Sequence, residues 1–194
     1  VIANPPYMGG KAMNPLLSEW LKREYASVKS DLFAAFVVRS TTLCQSNGQI
    51  GLMTPFVWMF ISSYEPLRTL LIDEKTVISL IQLEYSGFEA ATVPICTFTL
   101  ENKHKPNVKG AYIQLSEFKG PSLQAPKALE AINNPKCGWF YRCSAHQFKT
   151  IPGKPFAFWV PHHIFSLFSK TRLGQRTQLK QGLTSSDNNR FLRL

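Results

Sequence analysis

Acidic residues all but vanish from the last third of this 194-residue chain. Residues 131–194 hold ten Lys/Arg against the single acid Asp187, a net of +9, whereas residues 1–130 hold 12 Lys/Arg against 11 Asp/Glu. Nearly all of the formal +10 is therefore gathered at one end. A solvated face is the plain reading of such a charge run, but a segment almost free of acids suits a polyanion, whose neutralised phosphates release counterions. Nucleic acid is the first candidate partner. Long apolar runs are missing as well. The stretch 53–61 is short and 33–38 is followed by Arg39, so nothing approaches the roughly 20 residues that span a bilayer. No basic, apolar leader opens the sequence. The expectation is a soluble, cytoplasmic protein without a membrane partner.

Metal-binding patterns are lacking too. Cys44, Cys96, Cys137 and Cys143 form no CxxC pair and have no histidines at zinc-finger spacing, which predicts reduced structural thiols. The rings of adjacent His162 and His163 point apart in a helix or a strand, so one shared metal is not expected. A Ser/His/Asp set is not evident either.

What remains supports a real core: 44% of residues are hydrophobic and 12% aromatic, enough for one ordinary domain. Residues 1–3 suit the end of a parallel strand. A glycine-bearing loop over 7–13 leads to a helical stretch near 16–24. Asp31 stands where an N-cap belongs, and Leu32, Phe33, Phe36, Val37 and Leu43 recur at helical spacing after it. Asn47-Gly48 ends that helix, and 49–54 reads as a buried strand closed by Pro55. A helix over 64–72, with Asp73-Glu74 in the turn, precedes strands at 77–83 and 93–100, and 111–115 would add an edge strand. Alternating strands and helices imply a parallel α/β sheet with an antiparallel finish. Residues 119–127, with Gly120, Pro121 and Pro126, read as a linker. Beyond it are expected a helix around 129–133, an aromatic-rich stretch over 139–159 and a short helix near 163–170.

Asn4-Pro5-Pro6-Tyr7 is the sharpest signal. An apolar strand followed by this tetrapeptide resembles the active-site motif of amino methyltransferases that use S-adenosylmethionine. An exocyclic amino nitrogen is a poor nucleophile because its lone pair is delocalised into the ring. The resemblance implies that the Asn4 side-chain oxygen and the Pro5 carbonyl accept the two amino hydrogens, stabilising charge as the nitrogen becomes tetrahedral. The prolines would keep both acceptors aimed. Tyr7 would offer a face on which a base stacks, and a base inside a duplex must be flipped out to reach it. No strong general base is required, since the product sheds its proton from an already cationic nitrogen.

Further segments narrow the resemblance to N6-adenine DNA methyltransferases of the NPPY class. Lys29-Ser30-Asp31-Leu32-Phe33-Ala34-Ala35-Phe36 is similar to the helix that follows the motif there, with Phe36 against the cofactor's adenine and Asp31 and Pro6 also on the cofactor side. Gly51-Leu52-Met53-Thr54-Pro55 resembles the next strand, and Ser86-Gly87-Phe88 the segment that brings a second aromatic, Phe88, to the flipped adenine. Core packing is the competing role for both phenylalanines. Segments 151–159 and 181–193 resemble the passage from catalytic domain to target-recognition region in large bacterial enzymes, Ser186 departing from the usual glycine. With Met8-Gly9-Gly10-Lys11-Ala12-Met13-Asn14, the likeness is strongest to the methyltransferases of BREX phage-defence systems.

The implied fold is the C-terminal part of a Rossmann-like S-adenosylmethionine-dependent methyltransferase sheet over 1–118, followed by a basic α+β linker and the start of a recognition region over 119–194. The glycine-rich loop that would cradle the cofactor precedes this motif in the family and is not found here, so the expectation is an internal fragment of an enzyme that marks host DNA. The implied partners are double-stranded DNA with a flipped adenine and other phage-defence proteins. Two competing readings are methylation of a protein glutamine at N5, which shares NPPY, and a DNA- or protein-binding fragment without chemistry.

Overall fold

A computed structural model describes residues 1–87, 93–170 and Thr177. Its centre is one six-stranded sheet in the order β1-β2-β4-β3-β5-β6. The strands are β1 (Ile2–Ala3), β2 (Gln49–Pro55), β3 (Thr76–Gln82), β4 (Ile95–Glu101), β5 (Gly110–Gln114) and β6 (Phe140–Cys143). β1 runs parallel to β2, β4 lies antiparallel between β2 and β3, β5 is parallel to β3, and β6 is antiparallel to β5. The C-terminal ends of β1, β2, β3 and β5 therefore share one edge of the sheet. The expected parallel start and antiparallel finish are both present.

The helices begin where their caps dictate. α1 (Pro15–Glu24) starts on Asn14, whose Oδ1 accepts from the Leu17 amide at 2.8 Å, with Pro15 at the first helical position. α2 (Leu32–Leu43) starts on Asp31 as expected. Its C-terminal carbonyls are satisfied from a distant strand end: the Asn102 side-chain amide donates to Thr41 O at 3.0 Å and Cys44 O at 2.7 Å. α3 (Glu65–Glu74) includes Asp73 and Glu74 in its last turn rather than leaving them in the loop.

Leu32, Phe33 and Val37 of α2 and Leu67 and Leu71 of α3 pack on Ile50, Leu52, Leu80, Phe98 and Leu100 of the sheet. Alternation along β5 sends Tyr112 into this core and Ile113 into a smaller one on the other face, with Leu115 and Ala131. Phe148, Phe156, Phe158 and Phe165 belong to the larger core. Residues from the aromatic-rich stretch thus pack with the strands that precede them, and α5 (His162–Phe165) follows.

Two readings need correction. The stretch 119–127 is no linker, because α4 (Pro121–Asn133) runs through it. Pro121 occupies the first helical position, where no amide is needed, and Pro126 costs a single bond to Ser122, on a side of the helix exposed to water. The first turn is tied down by Gln124, and further along Lys127 lies over the rings of Phe118 and Trp139 at 5.1 and 4.9 Å. Nor is β5 an edge strand, since β6 covers its free side.

Gly110 meets β3 where the β3/β4 register shifts between Val77 and Ser79. A Cβ there would lie 2.6 Å from the Val77 carbonyl oxygen. Gly110→Ala should therefore cost about 1–3 kcal/mol in a denaturant melt, by forcing β5 off its neighbour. Among the described residues no helix is long and apolar enough to cross a membrane.

Candidate active site

β1 stops at Ala3 because the next residues cannot extend it: Pro5 and Pro6 lack amide donors, and a residue before proline is held extended. The chain is thus released at the C-terminal edge of the sheet, with Pro5 buried and the Asn4 side chain exposed. Tyr7 folds back, and its hydroxyl donates to Asn4 Oδ1 at 2.9 Å and approaches Met53 O at 3.4 Å. Its ring meets Phe33 edge-on, centroids 6.4 Å apart. Burial, and then the Cys96 thiol behind it, pushes the Tyr7 hydroxyl above its ordinary range. It stays protonated and donates. This bond fixes which end of the Asn4 amide is the oxygen and leaves that oxygen a second lone pair. The sequence pointed to the ring of Tyr7; the orienting hydroxyl has no signal beyond the spacing of three residues.

A short ladder holds the loop after the motif. Leu32 N donates to Met8 O at 3.0 Å, Gly10 N to Ser30 O at 3.1 Å, and Asp31 Oδ1 accepts from Met8 N at 3.1 Å and Phe33 N at 3.2 Å. Asp31 is thereby both the cap of α2 and the tether of the motif loop. Burial pushes its carboxyl above the ordinary range, and the amides of Phe33, Met8 and Leu32 pull it partly back. A carboxyl harder to ionise folded than unfolded contributes stability that declines as pH rises from its ordinary value, about 3.9, through the raised one. Asp31→Asn keeps an oxygen acceptor without the charge. Its stability relative to the wild type should rise between about pH 3 and pH 7, while Asp31→Ala should lose about 1 kcal/mol with the cap, both read in urea melts.

Phe36 lies away from the core. Its side chain is 40% exposed on the outer face of α2, beside an open groove of about 510 Å³ shared with Trp20, Tyr25, Glu24 and Arg39. Trp20 and Tyr25, 5.2 Å apart between centroids, form the groove's aromatic wall, which sequence reading had missed. The groove adjoins β1, whose Ile2 is 93% exposed. Phe88 lies outside the described residues, as does the segment 181–193. Behind the site, Trp58 Nε1 donates to Thr54 Oγ1 at 3.1 Å, and Cys96 beside it is buried with its thiol pushed up to about 12, an inert packing group. Among the described residues no cluster of His, Cys, Asp or Glu could hold a metal.

Of the ten cations in 131–194, Arg172, Arg176, Lys180, Arg190 and Arg193 lie outside the described residues. Lys136, Arg142, Lys149 and Lys170 are exposed. Lys149 pairs with Asp73 at 2.5 Å.

Residues 1–88 match the family described as Eco57I restriction-modification methylase. The chain is 30% identical over 197 residues to the adenine-specific methyltransferase PglX of Lacticaseibacillus casei (strain Zhang), an alignment covering 99% of this chain and 16% of the relative. It is 35% identical over 173 residues to the adenine-specific methyltransferase BrxX of Escherichia coli O9:H4 (strain HS), covering 88% of this chain and 14% of the relative. The chain thus spans about a seventh of the length of these relatives. Its fold is similar, with a TM-score of 0.59 at 18% identity, to the type I restriction-modification methyltransferase subunit of Streptococcus thermophilus, over 79% of this chain and 36% of that one.

Proposed function

Since the chain, through residues 1–88, belongs to the Eco57I restriction-modification methylase family, we propose that it is the motif-bearing piece of a DNA adenine-N6 methyltransferase. The carrying observation is the exposed Asn4 amide, its oxygen oriented by Tyr7, at the mouth of a sheet edge. Asn4 Oδ1 and the Pro5 carbonyl accept the two hydrogens of the target amino group, drawing the lone pair out of the purine ring as the nitrogen pyramidalises. Pro5 and Pro6 hold both oxygens in place before the base arrives, so little reorganisation accompanies the reaction. Tyr7 and Phe88 provide stacking faces for an adenine rotated out of the duplex.

S-adenosylmethionine supplies the methyl group. The residues present fit one side of it: Phe36, exposed over the aromatic groove rather than packed in the core, suits a flat heterocycle, with Pro6 and the Asp31 tether on the approach to the motif. The nitrogen that gains the methyl group is briefly cationic and releases its proton to water, which is why the site needs no buried base. The basic end of the chain, 119–194, then leads into the region that reads the DNA, its cations placed for phosphates. The similarity to PglX and BrxX favours DNA marking within a phage-defence system, with other defence proteins as partners.

The test uses the complete protein, incubated with radiolabelled cofactor and unmethylated plasmid, followed by nuclease digestion and mass spectrometry. Label in N6-methyladenine is expected. Label only in protein, at glutamine N5, would replace this reading with the alternative that shares the motif; no label with DNA still bound would favour a binding module.

A further inference from the structure

One buried polar side chain, far from the motif in sequence, ties together a turn at the same edge of the sheet. Gln124, in the first turn of α4, is 6% exposed. Its Oε1 accepts from Glu84 N at 3.0 Å, and its Nε2 donates to Phe118 O at 2.5 Å and Gly120 O at 3.0 Å. The turn closes on itself as well. The Glu84 carboxylate accepts from Ser86 N at 2.9 Å, Ser86 Oγ at 2.5 Å and Gly120 N at 3.3 Å, and Gly87 N donates to Glu84 O at 2.9 Å. Gly87 is required by this closeness, because a Cβ there would lie 2.8 Å from both Cδ and Oε1 of Gln124.

A buried amide with both ends satisfied is costly to move, since any shift of the turn leaves a carbonyl or an amide without a partner. The turn leaves β3 at its C-terminal end. β3 points the same way as β1, so the turn and the Asn4 loop share one edge of the sheet. Phe88, proposed above to stack on the target base, is the next residue in sequence after Gly87. We propose that Gln124 is a positioning residue for the methylation reaction, fixing the turn Glu84–Gly87 from which the base-stacking segment departs, and so coupling α4 to capture of the flipped adenine. This rests on the adenine methyltransferase reading.

The test uses the complete protein and a duplex carrying 2-aminopurine, a fluorescent adenine analogue, at a position that the wild type methylates when adenine stands there. Wild type should show a fluorescence gain as the base unstacks. Gln124→Ala, and separately Gly87→Ala, which pushes the same contact from the other side, should each lower the fluorescence gain and the rate at saturating DNA about tenfold or more. Cofactor affinity and the thermal midpoint should stay near wild type. Gln124→Met, which keeps the shape and loses the hydrogen bonds, should behave like Gln124→Ala and decides the matter if either of the others fails to fold. Normal base extrusion in the variants, or a loss of cofactor binding in step with it, overturns the positioning role. Failure of the wild type to methylate adenine would instead remove the reading beneath it.

Discussion

In the complete protein, Asn4→Ala should lower the methylation rate by at least about 10²–10³ while leaving DNA affinity nearly unchanged, because an acceptor that strengthens only as the amino group becomes tetrahedral contributes to the transition state and little to the bound ground state. The geometry sharpens the expectation. Asn4 is exposed, so truncating it opens no cavity and removes from the folded chain the hydrogen bond donated by Tyr7. Asn4→Asp keeps an oxygen in the same place and should retain a measurable share of activity. Single-turnover methylation alongside gel-shift affinity separates the two effects. Methyl transfer that survives Asn4→Ala would remove the acceptor role, and a failure to bind DNA would show that Asn4 serves the complex rather than the chemistry.

Arg68→Ala should be the most destabilising single change away from the site, costing about 3–5 kcal/mol in a denaturant melt. Arg68 is 1% exposed on α3 and donates to three main-chain carbonyls: Trp58 O at 2.7 Å, Ile61 O at 2.8 Å and Gly153 O at 2.8 Å. Burial draws its guanidinium below the usual range, with Glu65 acting in the opposite sense. Removing the side chain leaves three carbonyls without donors and a void in the core. The effect should be larger than that of Gly110→Ala. A loss below about 1 kcal/mol would mean that water replaces the guanidinium at little cost. Since Trp58 and Ile61 follow the end of β2 while Gly153 lies beyond α4, the same residue clasps the sheet's site edge to the later part of the chain.

Local chemistry made the first half of the chain legible. Asp31 caps α2 because its short carboxylate is the acceptor that a helix start demands, and the apolar positions after it repeat at 3.6 residues whatever surrounds them. Pro5-Pro6 and Pro55 likewise end β1 and β2 by what proline lacks. The later elements were harder because their signals are not local. Pro126 argues against a helix, and α4 forms through it because Gln124 and Lys127 have distant partners at Glu84, Phe118 and Trp139. β5 reads as an edge until β6, almost thirty residues on, is seen to pair with it. At the site, the motif announced Asn4 and Tyr7, but the hydroxyl-to-amide bond between them and the exposed setting of Phe36 belong to tertiary structure. Tyr7 was expected to act through its face alone, and its edge-on contact with Phe33 shows what holds the ring at the loop.

The most direct measurement is a crystal structure of the complete protein with a non-reactive cofactor analogue and a duplex containing the methylated site. An extruded adenine is expected, its N6 within about 2.7–3.2 Å of both Asn4 Oδ1 and the Pro5 carbonyl oxygen. An adenine left stacked in the duplex, or one whose N6 is held by other groups while Asn4 points away, would contradict the acceptor chemistry.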